Sequence, residues 1–219
     1  MGITLGRYTL VTSKVRRKGI RKITAEEQRQ IESSLDRLAE ILSINIKWVL
    51  SGGLAVATTL NTFYRGHDDL DIDVYAADVE QVAEEGRQRG YDIFSRETMV
   101  KITPTKKGEI YRRMTPQEIV KEGKKKVRLV RINERKRIAL QGGLLDYIDV
   151  YINYGEDGSN VLSGGATYTT QSGRMIHIIP LEYLSFIKQR DGENGEKARI
   201  DMEMMTRKKE HVPLVELVR

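Results

Sequence analysis

Cysteine is absent from this chain. A disulfide framework and thiolate metal sites are therefore both excluded. No run of about 18 apolar residues occurs, so the sequence predicts no membrane-spanning helix. The first residues lack the apolar core of a secretory signal, and the expectation is a cytoplasmic protein. Neither GxxxxGKS/T nor GxGxxG appears, which removes the P-loop and the dinucleotide-binding fingerprint. Helix-turn-helix and zinc-finger patterns, internal repeats and low-complexity tracts are missing as well.

What is present suits a globular protein. The 219 residues are 39% apolar, enough for one large domain or two small ones sharing a core. The net charge of +6 is unevenly placed. Residues 1–22 carry seven basic side chains (Arg7, Lys14, Arg16, Arg17, Lys18, Arg21, Lys22) and no acidic one. Residues 101–138 hold fourteen Lys or Arg against four Glu. Such asymmetry fits either a face for polyanions such as RNA or triphosphate, or solvated surface on a highly charged protein.

The periodicity predicts a basic N-terminal arm over residues 1–22, with a short strand at Tyr8–Val11. Thr24 and Glu27 form a capping box, and the helix behind them places Ile31, Leu35, Leu38 and Leu42 on one face. Ile46–Leu50 reads as a buried strand, broken by Ser51-Gly52-Gly53, which opens a helix through about Phe63. Leu70, Ile72 and Val74 alternate with Asp69, Asp71 and Asp73, a half-buried strand. Asp78 is the expected cap of a third helix, which Gly90 ends before a strand at Tyr91–Phe94. Thr115-Pro116-Gln117-Glu118 starts a short helix, and Asn133-Glu134 reads as a hairpin turn. Leu144–Asn153 is a strand with Tyr147, Asp149 and Tyr151 on one side. Gly-rich turns near Gly158, Gly164-Gly165 and Gly173 separate further strands. Pro180 opens a helix to about Arg190, and a last helix runs from Glu196 to about Thr206. This order predicts an α/β (α+β) fold, a small mixed sheet flanked by helices. Its expected parts are the arm 1–22, a core 23–155 and a C-terminal section 156–219 packing on the core.

Chemistry concentrates at Arg65-Gly66-His67-Asp68-Asp69-Leu70-Asp71-Ile72-Asp73-Val74. Carboxylates at alternate strand positions point the same way, about 7 Å apart, and can converge on hard cations such as Mg²⁺. Packed like charges repel unless a cation offsets them. The run also opens like an EF-hand loop, but Val74 stands where that loop requires glycine. Upstream, Gly52-Gly53 between strand and helix lets backbone approach a ligand, with helix N–H groups offered to phosphate.

Joined, these pieces resemble the DNA polymerase β-like nucleotidyltransferase superfamily. The stretch Trp48–Gly53 followed by Arg65-x-His67-x-Asp69-Leu70-Asp71-Ile72 is similar to the aminoglycoside, minimal and toxin-type prokaryotic members. The resemblance is good over residues 44–95, thins across 100–140, and returns at Tyr147–Tyr151 and from Ile178 to Met202. It implies that Asp69 and Asp71 are paired ligands for Mg²⁺ or Mn²⁺. It also implies that Ser51, Gly52 and Gly53 hold the phosphates of a nucleoside triphosphate. Asp149, in Tyr-Ile-Asp-Val-Tyr, matches the third carboxylate, as metal ligand or general base. Asp146 competes for that role but shares the face of Ile148 and Val150. Lys188 is the candidate phosphate-binding lysine, and Arg65 either touches phosphate or braces the acidic strand. His67 is expected to order its loop, Asp73 to assist, and Asp68 to point away.

The implied reaction is transfer of a nucleoside monophosphate to a hydroxyl, with pyrophosphate released. The acceptor stays open between RNA or tRNA, favoured by the basic region 101–138, a small molecule and a protein hydroxyl. A catalytically inactive module that binds nucleotide, RNA or a protein partner is the alternative. Oligomeric state is not legible.

Overall fold

A computed structural model describes residues 2–14, 23–42, 46–67, 69–103, 106–132, 144–155, 162, 165–185 and 195–209. Strands β1 (Gly2–Leu5) and β2 (Tyr8–Lys14) form an antiparallel hairpin. Helix α1 (Ala25–Ile41) opens with the expected capping box. Glu27 N–H donates to the Thr24 hydroxyl, and Thr24 N–H donates to the Glu27 carboxylate. Ile31, Leu35, Leu38 and Leu42 are buried, the one-faced pattern that 3.6-residue periodicity dictates.

Strand β3 (Trp48–Ser51) runs straight into helix α2 (Gly52–Thr59). That helix stops short of Phe63. The Thr58 hydroxyl donates back to the Leu54 carbonyl, and Asn61 takes a positive φ of 51°, a left-handed conformation that does not continue a helix. Strand β4 (Leu70–Tyr75) leads through a 3₁₀ turn at Ala76–Asp78 into α3 (Val79–Gln88). Asp78 makes no side-chain cap because it already has helical backbone angles within that turn. Strands β5 (Tyr91–Thr103) and β6 (Lys106–Arg113) follow, then α4 (Pro116–Lys121) behind the Thr115–Glu118 capping box. Next come β7 (Lys126–Arg131), β8 (Tyr147–Asn153), and a two-stranded ribbon of β9 (Thr167–Thr169) and β10 (Met175–His177). Helix α5 is described over residues 181–185, and α6 spans Glu196–Lys209.

Eight strands make one mixed sheet in the order β1-β2-β6-β5-β7-β8-β4-β3. It is larger than the small sheet expected, for two reasons. Strand β5 is 13 residues long and pairs with both β6 and β7, and the N-terminal hairpin adds to β6. Much of the basic middle is therefore sheet. Only β4 and β8 run parallel among the paired strands of this sheet.

On β4 and β8, Leu70, Ile72, Val74, Ile148, Val150 and Ile152 point into the main core, which also takes the inner faces of α1, α2 and α3. The alternation sends Asp69, Asp71, Tyr147, Asp149 and Tyr151 to the opposite side. A second, smaller apolar cluster of Val11, Phe94, Tyr111 and Val130 packs there, with Tyr147 against it. The Asn133-Glu134 turn and the turns at Gly158 and Gly164 lie outside the described residues.

Loss of the cap in Thr24→Ala should lower stability by about 1 kcal/mol. Leu38→Ala, which opens a cavity in the main core, should cost about 2–5 kcal/mol. Urea midpoints at constant slope check both, with Leu38→Ala the larger shift.

Candidate active site

The sheet register assembles the site. Strand β3 places Ser51 opposite Asp71, β4 places Asp71 opposite Asp149, and β7 places Arg128 opposite Asp149. Ser51, Asp71, Asp149 and Arg128 thus form one row across four strands. Asp69 precedes Asp71 by two residues and shares its face. One carboxylate oxygen from each of Asp69, Asp71 and Asp149 lies within 4.8 Å of the other two. Three hard oxygen donors in that span are a fitting ligand set for Mg²⁺ or Mn²⁺, whose remaining positions water and phosphate can fill. Asp146 sits before β8, where its carbonyl accepts from Arg131 N–H. Asp73 is held by burial at a pKa of about 6, against the downward pull of the Ser51 hydroxyl and Lys126. Asp68 and Lys188 lie outside the described residues.

The glycine turn fits these carboxylates closely. Gly52 has φ +67°, and a Cβ there would overlap the Asp71 carboxylate. A Cβ on Gly53 would overlap the Arg65 guanidinium. Both positions therefore demand glycine, one for its backbone angle and both for close approach.

Arg65 is the brace beneath the turn. Its Nε and Nη2 donate to the two oxygens of Asp201 on α6, at 2.9 and 3.0 Å, while Nη1 donates to the Gly66 carbonyl. Tyr64 donates its hydroxyl to the same Asp201 at 2.7 Å. Asp201 is fully buried and Arg65 is 5% exposed. Burial pushes the Arg65 pKa down, but Asp201 more than offsets it, leaving the net shift upward. The bidentate pairing ties Arg65 to α6.

Asp149 is 2% exposed and lies between two cations. Arg128 Nε is ion-paired with its Oδ1, Arg128 Nη2 donates to Oδ2 at 3.2 Å, and Lys126 Nζ is 2.8 Å from Oδ2. The Arg128 guanidinium lies 4.4 Å from the centre of the Tyr147 ring, and Lys126 Nζ lies 4.3 Å from that of Tyr151. Burial, then the charge of Asp69, pushes the Tyr147 phenol up to about 12. Lys126 and Arg128 have no role in the sequence analysis, and Asp201 enters it only within the Ile178–Met202 stretch of the resemblance. Their signal was available in part, since Lys126 and Arg128 alternate with Val127 and Leu129 as side chains on one face of a strand do.

A family model described as aminoglycoside-2''-adenylyltransferase matches residues 34–205. The chain belongs to this family. The match runs from the middle of α1 into α6 and takes in the glycine turn, all three carboxylates and Asp201. The enzyme is accordingly a nucleotidyltransferase, one that moves a nucleoside monophosphate from a triphosphate to a hydroxyl. No curated protein matches it. Among solved structures it is similar to a lincomycin-bound lincosamide antibiotic adenylyltransferase, at 18% identity over 85% of this chain and 98% of that one (TM-score 0.44). It is similar to the antibiotic-resistance factor ANT(2'')-Ia at 11% identity over 84% and 85% (TM-score 0.48). The Megavirus polyadenylate synthase is similar at 12% identity over 91% of this chain and 38% of that one (TM-score 0.43).

Two substitutions separate the turn from its brace. Gly52→Ala should keep the fold, by circular dichroism, while lowering kcat on the order of 100-fold by displacing Asp71. Asp201→Ala leaves the buried Arg65 without its partner and should destabilise the protein by about 3–5 kcal/mol, read as a lowered denaturation midpoint.

Proposed function

We propose that the enzyme is metal-dependent and adenylylates a hydroxyl on a small molecule, using Asp69, Asp71 and Asp149 as ligands for Mg²⁺ or Mn²⁺. The observation that carries this reading is the convergence of three carboxylates from two strands beside a glycine turn. ATP is the expected co-substrate because the family is one of adenylyltransferases. Divalent cations held there would neutralise charge on the reacting phosphate and the leaving oxygen. The backbone of Gly52 and Gly53, at the start of α2, offers N–H groups to the β- and γ-phosphates, and Ser51 and Lys188 are proposed to assist. Arg65 contributes by fixing the turn through Asp201.

In the transfer step the acceptor oxygen bonds to the α-phosphorus and the bond from that phosphorus to the bridging oxygen breaks. Pyrophosphate leaves with the electron pair, and the hydroxyl proton passes to water. Asp71, with Asp69 and Asp149, would hold a divalent cation that offsets charge on the reacting phosphate.

A small-molecule acceptor is preferred to RNA for a structural reason. Many cations of the basic middle are engaged within the protein, which weakens the case for a polyanion face. Arg112 pairs with Glu97 and Glu122, Arg113 with Asp92, Lys124 with Glu97, and Arg7 of the N-terminal hairpin with Glu118.

With ATP labelled at the α-phosphate, Mg²⁺ and a pool of hydroxylated metabolites, the wild type should release pyrophosphate and label a small product. Asp71→Asn should abolish both while melting like the wild type. Chelation should stop the reaction, and added Mg²⁺ or Mn²⁺ should restore it. Wild-type turnover by Asp71→Asn would sink the assignment.

A further inference from the structure

Arg128 grips Asp149 from β7, and Arg128 is held in turn. Its Nη1 donates to the Tyr111 hydroxyl, and that hydroxyl donates to Glu109 Oε2 at 2.7 Å. Arg96 Nη1 lies 3.7 Å from Glu109 Oε1. Asp149, Arg128, Tyr111 and Glu109 thus form one hydrogen-bonded chain that leaves the carboxylate cluster and runs from β8 through β7 to β6. Tyr111, Glu109 and Asp149 are all buried. Donor chemistry gives the chain a single sense. A guanidinium only donates, and an ionised carboxylate only accepts. The Tyr111 hydroxyl therefore turns a lone pair to Arg128 and its proton to Glu109.

We propose that Tyr111 is a positioning residue for the transfer reaction: anchored by Glu109, its hydroxyl fixes the Arg128 guanidinium and so the direction in which Asp149 presents its oxygens to Asp69 and Asp71. The inference rests on the nucleotidyltransferase reading above. Its first support is geometry. Arg128 Nε and Nη2 meet the two oxygens of Asp149 as a planar fork, so guanidinium and carboxylate turn as one unit. Contacts along one edge of the guanidinium let that unit pivot, and the third contact, from Nη1 to Tyr111, holds another edge. Strand β5 separates Tyr111 on β6 from Arg128 on β7. The gap is two strand spacings, roughly 10 Å, and only long side chains leaning toward each other close it. One oxygen of Asp149 lies within 4.8 Å of oxygens from Asp69 and Asp71, a convergence that a small pivot would spoil.

The second support is the hydroxyl itself. Tyr111 packs with Val11, Phe94 and Val130, a cluster that a phenylalanine would fill as well. A buried hydroxyl is costly unless it is hydrogen-bonded. Both of its bonds here lie along the chain that ends at Asp149, so what the hydroxyl adds beyond packing is delivered to the carboxylate.

The test measures pyrophosphate release from ATP with Mg²⁺ and the pool of hydroxylated metabolites, with Asp71→Asn protein as the blank. Tyr111→Phe should stay folded by circular dichroism, lower kcat about tenfold and leave the KM for ATP unchanged. Glu109→Gln, whose amide oxygen can still accept the Tyr111 proton, should lose less. The double variant Tyr111→Phe with Arg128→Lys should be no slower than Arg128→Lys alone, because Tyr111 acts through Arg128. In NMR of nitrogen-labelled protein without metal or nucleotide, the Arg128 Nη–H signals, assigned by their loss in Arg128→Lys, should be resolved in the wild type and broadened in Tyr111→Phe. An unchanged kcat, a raised KM for ATP, losses that multiply in the double variant, or Arg128 signals that do not change each overturn the inference and leave the transferase reading intact. If Tyr111→Phe does not fold, the same kcat and NMR readings on Glu109→Gln decide. Wild-type release no higher than the blank overturns the transferase reading and this inference together.

Discussion

The parallel pairing of β4 with β8 is the constraint on which the rest of the molecule depends. It sets Asp71 against Asp149 across neighbouring strands, and the flanking antiparallel strands add Ser51 on one side and Arg128 on the other. A shift of one residue would turn Ile148 or Val150 toward Asp71 and expose the core face of β8. The burial of Leu70, Ile72, Val74, Ile148, Val150 and Ile152 therefore secures the register, and the register assembles the carboxylates. Hydrophobic packing on one face of the sheet dictates electrostatics on the other.

Concentrated negative charge at this spot is tolerated because opposite charge is supplied from two directions. Arg128 and Lys126 approach Asp149 from β7, each lying over a tyrosine ring of β8. The ring faces attract the cations and help keep them beside the carboxylate. On the other side, the first turn of α2 brings backbone N–H groups and the positive end of a helix. The site is thus graded, from backbone donors through carboxylates to side-chain cations, along a single row of the sheet.

How much of this was legible depended on whether a signal was local. The Thr24–Glu27 and Thr115–Glu118 caps, the alternation at residues 69–74 and the two glycines all act over a few residues, and each was readable from spacing alone. The preference for Asp149 over Asp146 followed from the same period-two rule. Contacts set by distant pairing were not readable. Nothing near Arg65 points to Asp201, and nothing near Asp149 points to Lys126, since both partners are fixed by sheet order and helix packing. The full length of β5 is not legible because Arg96, Glu97 and Lys101 interrupt the apolar pattern, although antiparallel pairing with β6 supplies the hydrogen bonds that propensity does not.

The Arg65–Asp201 pair joins residues 136 positions apart. Bringing such distant segments together carries a loop-closure cost in the unfolded chain, and contacts of this span form slowly relative to local ones. The glycine turn thus gains its support only after α6 has docked. During synthesis, a growing chain can complete its first helix and hairpin early, yet the glycine turn lacks the Arg65–Asp201 contact until residue 201 has emerged.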